Sequence, residues 1–86
     1  MYRILFKTSF VKQAQGLDDD QYRLLKKKLE LLKHERNHHA LKVHKLHGEF
    51  FDCYSFSLNY KMRVIFTFQA DNLIVLIAVG DHSIYR

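Results

Sequence analysis

Arg63, His82 and Tyr85 have side chains suited to phosphate and proton chemistry. A guanidinium on a rigid strand holds a phosphate through two parallel donors. Histidine gives and takes protons near neutrality. Tyrosine stacks on a base or donates a proton. A second group, Lys42, His44, Lys45 and His47, is crowded into LKVHKLHGE at residues 41–49. Extended backbone would put Lys45 and His47 on one side, beside a phosphodiester. Each set also has a plain structural reading. Arg63 could pair with Asp52 or Asp81, and the lysines of 42–47 could belong to a solvated edge strand that discourages edge-to-edge pairing.

Six histidines raise the question of a metal. His44 and His47 are three apart, which on an extended segment places them on opposite faces. Cys53 is the only cysteine, and no carboxylate stands at ligand spacing beside these histidines. No metal site is expected. The formal charge of +5 suits a polyanionic partner, nucleic acid before others, although plain solubility would also account for it.

These residues must be positioned by elements that the sequence marks out. Tyr2 to Phe6 read as a short strand rich in β-formers. Thr8 or Ser9 is expected to cap a short helix ending near Gly16. Asp18, Asp19 and Asp20 open a second helix that runs to about His34. On it Tyr22, Leu25, Leu29 and Leu32 recur at helical spacing, and Leu24 and Leu31 widen the apolar arc. Lys28 falls inside that arc, where its stem would pack and its ammonium snorkel to water. Residues 34–40 read as a connection.

The second half alternates. Asp52, Tyr54, Phe56 and Leu58 share one strand face, and Cys53, Ser55 and Ser57 the other. Asn59, Tyr60 and Lys61 make a turn. Val64, Phe66 and Phe68 then point one way, and Arg63, Ile65 and Thr67 the other. Asp71 and Asn72 suit a two-residue hairpin loop, since both tolerate positive φ. Residues 73–79, LIVLIAV, read as a strand buried on both faces. The order β-α-α-β-β-β predicts an α+β fold, a helical hairpin on a small, mainly antiparallel sheet, in a single domain over 1–86. Where the first strand joins the sheet does not follow from the pattern. If the last strand lies beside that of Arg63, then Arg63, His82 and Tyr85 meet at one end of the sheet.

A lone cysteine forms no intrachain disulfide and fits a reducing compartment, most simply the cytoplasm. The apolar run before Gly80 is far shorter than a spanning helix, and the N-terminal residues lack the features of an export signal.

The chain resembles the RelE/ParE superfamily of toxins from bacterial toxin–antitoxin modules, and is most similar to its RelE-like branch. Three motifs carry the resemblance: Lys45-Leu46-His47-Gly48; Tyr60 followed by Arg63-Val64-Ile65-Phe66; and the closing Gly80, His82 and Tyr85, with one residue fewer than usual between the histidine and the tyrosine. The resemblance implies a ribonuclease fold without metal or other cofactor. It implies cleavage of mRNA in the ribosomal A site, translation inhibition, and silencing by a cognate antitoxin in a heteromeric complex. Arg63 matches the arginine that neutralises the scissile phosphate. Lys45 and His47 match a basic pair, His82 the C-terminal histidine of several ribonuclease branches, and Tyr85 a tyrosine that stacks on substrate or assists proton transfer. Lys42, His44, Lys61 and Arg86 are expected to add nucleic-acid contacts. Ala40 stands where some branches place a glutamate, and Val79 or Gly80 where others place an arginine, which leaves His82 and His47 as alternatives for the general base. The rival readings are a ParE-like toxin that binds DNA gyrase without enzymatic activity, and a decayed toxin that binds only its antitoxin.

Overall fold

A computed structural model describes residues 1–85, with the Tyr85 side chain and Arg86 outside the described residues. The described residues form five strands and two α-helices: β1 (Arg3–Phe6), α1 (Thr8–Gln15), α2 (Asp19–Leu32), β2 (His44–Lys45), β3 (Tyr54–Ser57), β4 (Arg63–Gln69) and β5 (Leu73–Gly80). The sheet order is β1-β5-β4-β3-β2. β1 runs parallel to β5, and the other pairs are antiparallel. Two helices on a mainly antiparallel sheet match the expected α+β architecture, with the short edge strand β2 added. No helix among the described residues is long and apolar enough to cross a membrane.

The helix starts differ in how they are capped. Asp18 caps α2: its carboxylate accepts from the Gln21 N–H at 2.7 Å, and the Gln21 side chain accepts from the Asp18 N–H at 3.1 Å. This reciprocal box satisfies two donors that the first helical turn leaves open. At α1 the expected Thr8 or Ser9 cap is not formed. Lys7 occupies the cap position without a side-chain bond, because Ser9 is used elsewhere. Past Phe6 no strand covers the β1 side of β5, so α1 takes its place. Ser9 Oγ donates to Ile77 O at 2.9 Å, and Gln13 Oε1 accepts from Val79 N at 2.9 Å. Backbone groups left by the ladder are thus satisfied by side chains.

The core lies between the helices and one sheet face. Phe10, Leu25, Leu29 and Leu32 pack there on Phe56, Val64, Phe66, Ile74, Leu76 and Val79. α2 stops at Leu32, two residues short of the expected end, and Tyr22 is 47% exposed although it lies on the apolar stripe. The other face of the sheet carries a smaller cluster: Cys53, Ile65 and Ala78, with Leu46, Phe50, Ile77 and Ile84 against it.

β5 departs from the expected strand buried on both faces. Ile74, Leu76, Ala78 and Val79 are buried, whereas Leu73, Val75 and Ile77 are only half-buried. A bulge explains the change of phase. Ile65 pairs with Ala78, but the next residue, Phe66, pairs with Leu76, so Ile77 is the extra residue. The β4–β5 ladder ends at Gln69 and Leu73, which leaves Ala70, Asp71 and Asn72 as the connection. Asp71 (φ 62°) and Asn72 (φ 56°) adopt the left-handed conformation expected of them, in a loop one residue longer than expected. β3 begins at Tyr54, because residues 48–50 form a 3₁₀ turn ahead of it.

Candidate active site

Arg63 opens β4. Its register partners are Ser57 on β3 and Gly80 on β5. Paired residues share a sheet face, so Arg63 lies on the side of Ile65 and Ala78, away from the helices. β4 and β5 are neighbours, as the meeting of Arg63 with the closing segment requires. Arg63 is half-buried, and its Nη1 donates to Asn59 O at 3.2 Å and to Met62 O at 3.3 Å. Both bonds use one nitrogen, so among the described residues the Nε and Nη2 donors are left for a ligand.

The turn before Arg63 is fixed by Asn59. Its Oδ1 accepts from Lys61 N at 2.9 Å and Met62 N at 2.8 Å, an Asx-type arrangement that closes the loop without glycine. Tyr60 is 85% exposed at the tip, and Lys61 Nζ lies 6.0 Å from its ring centroid. Lys61 therefore sits on the same end of the sheet as Arg63.

The closing segment folds back over this end. After Gly80, residues His82–Tyr85 form a 3₁₀ turn. Asp81 starts it, with Oδ1 accepting from Ser83 N at 2.9 Å and its carbonyl from Ile84 N at 3.1 Å. Ile84 packs into the smaller cluster on the Arg63 face. A Cβ placed at Gly80 would come within 2.5 Å of Ile84 Cγ2. Glycine is needed here for close approach of the tail, with no unusual φ involved. His82 is exposed on that turn. The expectations for Tyr85 and Arg86 as site residues lie outside the described residues.

The basic segment is placed differently. Lys45 pairs with Tyr54, which pairs with Phe66, a residue of the helix-side core. Lys45 thus lies on the opposite face from Arg63. It is also two strands across and three residues along, each about 10 Å. Leu46 belongs to the smaller cluster, so by alternation His47 follows Lys45. The two share one side, as expected. His44 pairs with Ser55, on the Arg63 face. Its Nδ1 lies 3.1 Å from Lys42 O, which assigns the proton to Nδ1 and leaves Nε2 as the acceptor in the neutral ring. Lys42 itself is exposed with φ 59°. Gly48 has φ 72°, which gives the glycine of the Lys45–Gly48 motif a backbone reason. The structure thus brings Arg63 and the His82 turn to one end of one face, with Lys61 in the turn at the same end, adds His44 at the edge of that face, and leaves Lys45 and His47 on the other.

His38 has a structural place. Its Nε2 lies 2.7 Å from Leu32 O, and its ring stacks on Tyr2 with centroids 5.5 Å apart. Among the described residues no three His, Cys, Asp or Glu side chains gather as a metal ion would require. Cys53 is buried, and burial followed by the neighbouring Asp52 pushes its thiol pKa up, which makes it a poor nucleophile.

No protein-family model matches this chain, and no curated protein does. Solved structures do. The archaeal RelE of a RelE–RelB complex from Pyrococcus horikoshii superposes with a TM-score of 0.76 at 26% identity, covering 93% of each chain. The chain has the fold of the RelE-like toxins. A YoeB–YefM toxin–antitoxin complex from Staphylococcus aureus gives a TM-score of 0.77 at 20% identity, over 95% of this chain and 98% of that one. YafQ from Escherichia coli gives 0.71 at 14% identity, over 99% and 98%. The RelE-like fold accordingly spans the strands, the helical hairpin and the closing turn alike.

Two residues that matter to the site escaped the sequence reading. Ile84 anchors the tail; an apolar residue within an otherwise polar closing segment was its signal. Lys28, on the apolar arc where a snorkelling ammonium is expected, is half-buried, and its Nζ donates to Ser57 O at 3.0 Å and Leu58 O at 2.9 Å. Carbonyls at the end of β3, within reach of its stem, hold the ammonium inward.

Proposed function

We propose that this chain is the toxin of a toxin–antitoxin pair and a metal-independent endoribonuclease that cuts mRNA on the ribosome. The observation that carries the reading is the position of Arg63 on the face over which the His82–Tyr85 turn folds, within a fold shared with RelE. The nucleophile is the RNA 2′-OH, which selects RNA over DNA. Cleavage needs a base for that hydroxyl, positive charge at the phosphorane, and an acid for the departing 5′-oxygen. Arg63 supplies the charge through Nε and Nη2. His82 is the proton carrier on the adjoining turn, and His44, with Nε2 as acceptor, is a second on the same face. Lys61 and Lys42 contact flanking phosphates. Lys45 and His47, on the other face, contact RNA or ribosome that wraps the β2 edge.

The antitoxin is the proposed protein partner. A groove of about 1210 Å³ runs between β1, α1 and α2, lined by Phe6, Phe10, Val11, Tyr22, Leu25 and Leu29 among others, with Lys26, Lys27 and Lys33 also in its lining. An acidic amphipathic segment suits it.

The deciding experiment incubates the purified chain with translating ribosomes and maps the 5′ ends of the mRNA. New ends within A-site codons, reduced about a hundredfold with the Arg63→Lys variant, bear out the reading. Intact mRNA beside inhibited DNA gyrase would replace it with the gyrase reading.

A further inference from the structure

Arg63 is held by the turn that precedes it, and that turn is held in part by α2. Ser57 and Leu58 end β3, and their carbonyls accept from Lys28 Nζ at 3.0 and 2.9 Å. Leu58 N donates to Met62 O at 2.8 Å. The same Met62 oxygen, with Asn59 O, accepts from Arg63 Nη1. A continuous path of hydrogen bonds therefore runs from the middle of α2 to the guanidinium. Lys28 is its starting point and ties the turn to the helix.

As a stabilising device, this lysine is a poor choice. It stands on the apolar arc between Leu25 and Leu29, half out of water, and its partners among the described residues are neutral carbonyls. Burial lowers its pKa, the signature of a cation that pays for its position. A leucine or methionine there would pack in the same arc at no such cost.

We propose that Lys28 is a positioning residue for Arg63: by clamping the Ser57 and Leu58 carbonyls it fixes the turn whose Asn59 and Met62 carbonyls aim the guanidinium. The inference rests on the reading of Arg63 as the phosphate-binding arginine. Positioning a charged donor to within a fraction of an ångström is where much of its catalytic effect resides.

The test is a double-mutant cycle on ribosome-dependent cleavage, with wild type, Lys28→Met, Arg63→Lys and the combination. Methionine keeps the length and apolar stem of the lysine, so the fold is retained. Lys28→Met is expected to slow cleavage on the order of tenfold. In the Arg63→Lys background it should add less than about twofold, because it acts through the group already altered. Lys28→Arg, which keeps donors for the two carbonyls, should recover most of the rate. A second readout needs no activity: the Arg63 Nε–Hε resonance should shift in Lys28→Met and return in Lys28→Arg. Equal losses in both backgrounds, or wild-type cleavage by Lys28→Met, would overturn the proposal. If the wild-type chain cuts no RNA, the ribonuclease reading fails by itself. The resonance then decides the positioning role alone: a shift supports it, and an unmoved signal overturns it.

Discussion

Arg63 and Gly80 face each other across the β4–β5 ladder, and the space above the glycine is filled by Ile84. The arginine therefore shares its end of the sheet with residues 81–84, held against that face by Ile84. This relationship fixes where the chemistry can occur and how it can be disturbed.

Gly80→Ala puts a methyl group where Ile84 Cγ2 lies 2.5 Å away. We expect a loss of stability of about 1–3 kcal/mol from the overpacking and a tail lifted off the sheet. Ile84→Ala makes room for the methyl. In that background Gly80→Ala should cost less than about 0.5 kcal/mol more. Thermal melts of the four proteins check this, and additive losses would place Ile84 elsewhere.

Replacing Arg63 with lysine keeps the charge and loses the planar fork. Cleavage should fall by about a hundredfold, the range for removing one preorganised donor of transition-state charge. The fold should survive, with a stability change of about 1 kcal/mol from the two lost carbonyl bonds. Single-turnover cleavage and a thermal melt separate the two effects. Wild-type cleavage by this variant would end the bidentate phosphate role.

His82→Ala should reduce cleavage by roughly a hundredfold or more, as for loss of a general acid or base. The side chain is exposed, so the melting temperature should hardly move. If the rate is retained, proton transfer passes to His44. His44→Ala then becomes the substitution that abolishes the reaction.

Phe6 is 54% exposed in the groove between β1 and the helices. Phe6→Asp should weaken antitoxin binding by at least about tenfold, since a charge is buried against an apolar partner. Cleavage by the free toxin should be unchanged. Calorimetry with the product of a neighbouring reading frame measures the first, and mapping of mRNA ends the second.

The raised thiol pKa of Cys53 has a direction in stability. The unfolded chain ionises its thiol first as pH rises, so the unfolded state binds fewer protons there. Stability contributed by the neutral thiol is full below the ordinary thiol range and is lost above it. The wild type should lose more stability than Cys53→Ala as the pH rises from about 8 to about 10, through the ordinary thiol range. Parallel denaturant titrations at the two pH values give the difference, and identical slopes would contradict the burial argument.

Local chemistry made much of this protein legible from sequence. The alternation of Val64, Phe66 and Phe68 against Arg63, Ile65 and Thr67 assigned the faces of β4, because a strand repeats every second residue. Asp18, Asp19 and Asp20 marked the start of α2, and Asp71 with Asn72 the hairpin, because short polar side chains bond their own backbone or tolerate positive φ. The RelE-like motifs added the expectation of a phosphate site at Arg63. Other features depended on partners distant in the chain. Ser9 left its capping role for the carbonyl of Ile77, sixty-eight residues on. Lys28 turned inward to Ser57 and Leu58. The bulge at Ile77 shifted the phase of β5. Above all, register divided the basic residues: Lys45 pairs with Tyr54 and faces the helix side, while His44 pairs with Ser55 and faces the side of Arg63. Side-chain type and period are properties of a single segment, so sequence by itself determined them. Which face and which end two segments share is set when strands pair, through contacts between residues far apart in the chain, and only the tertiary structure decided that.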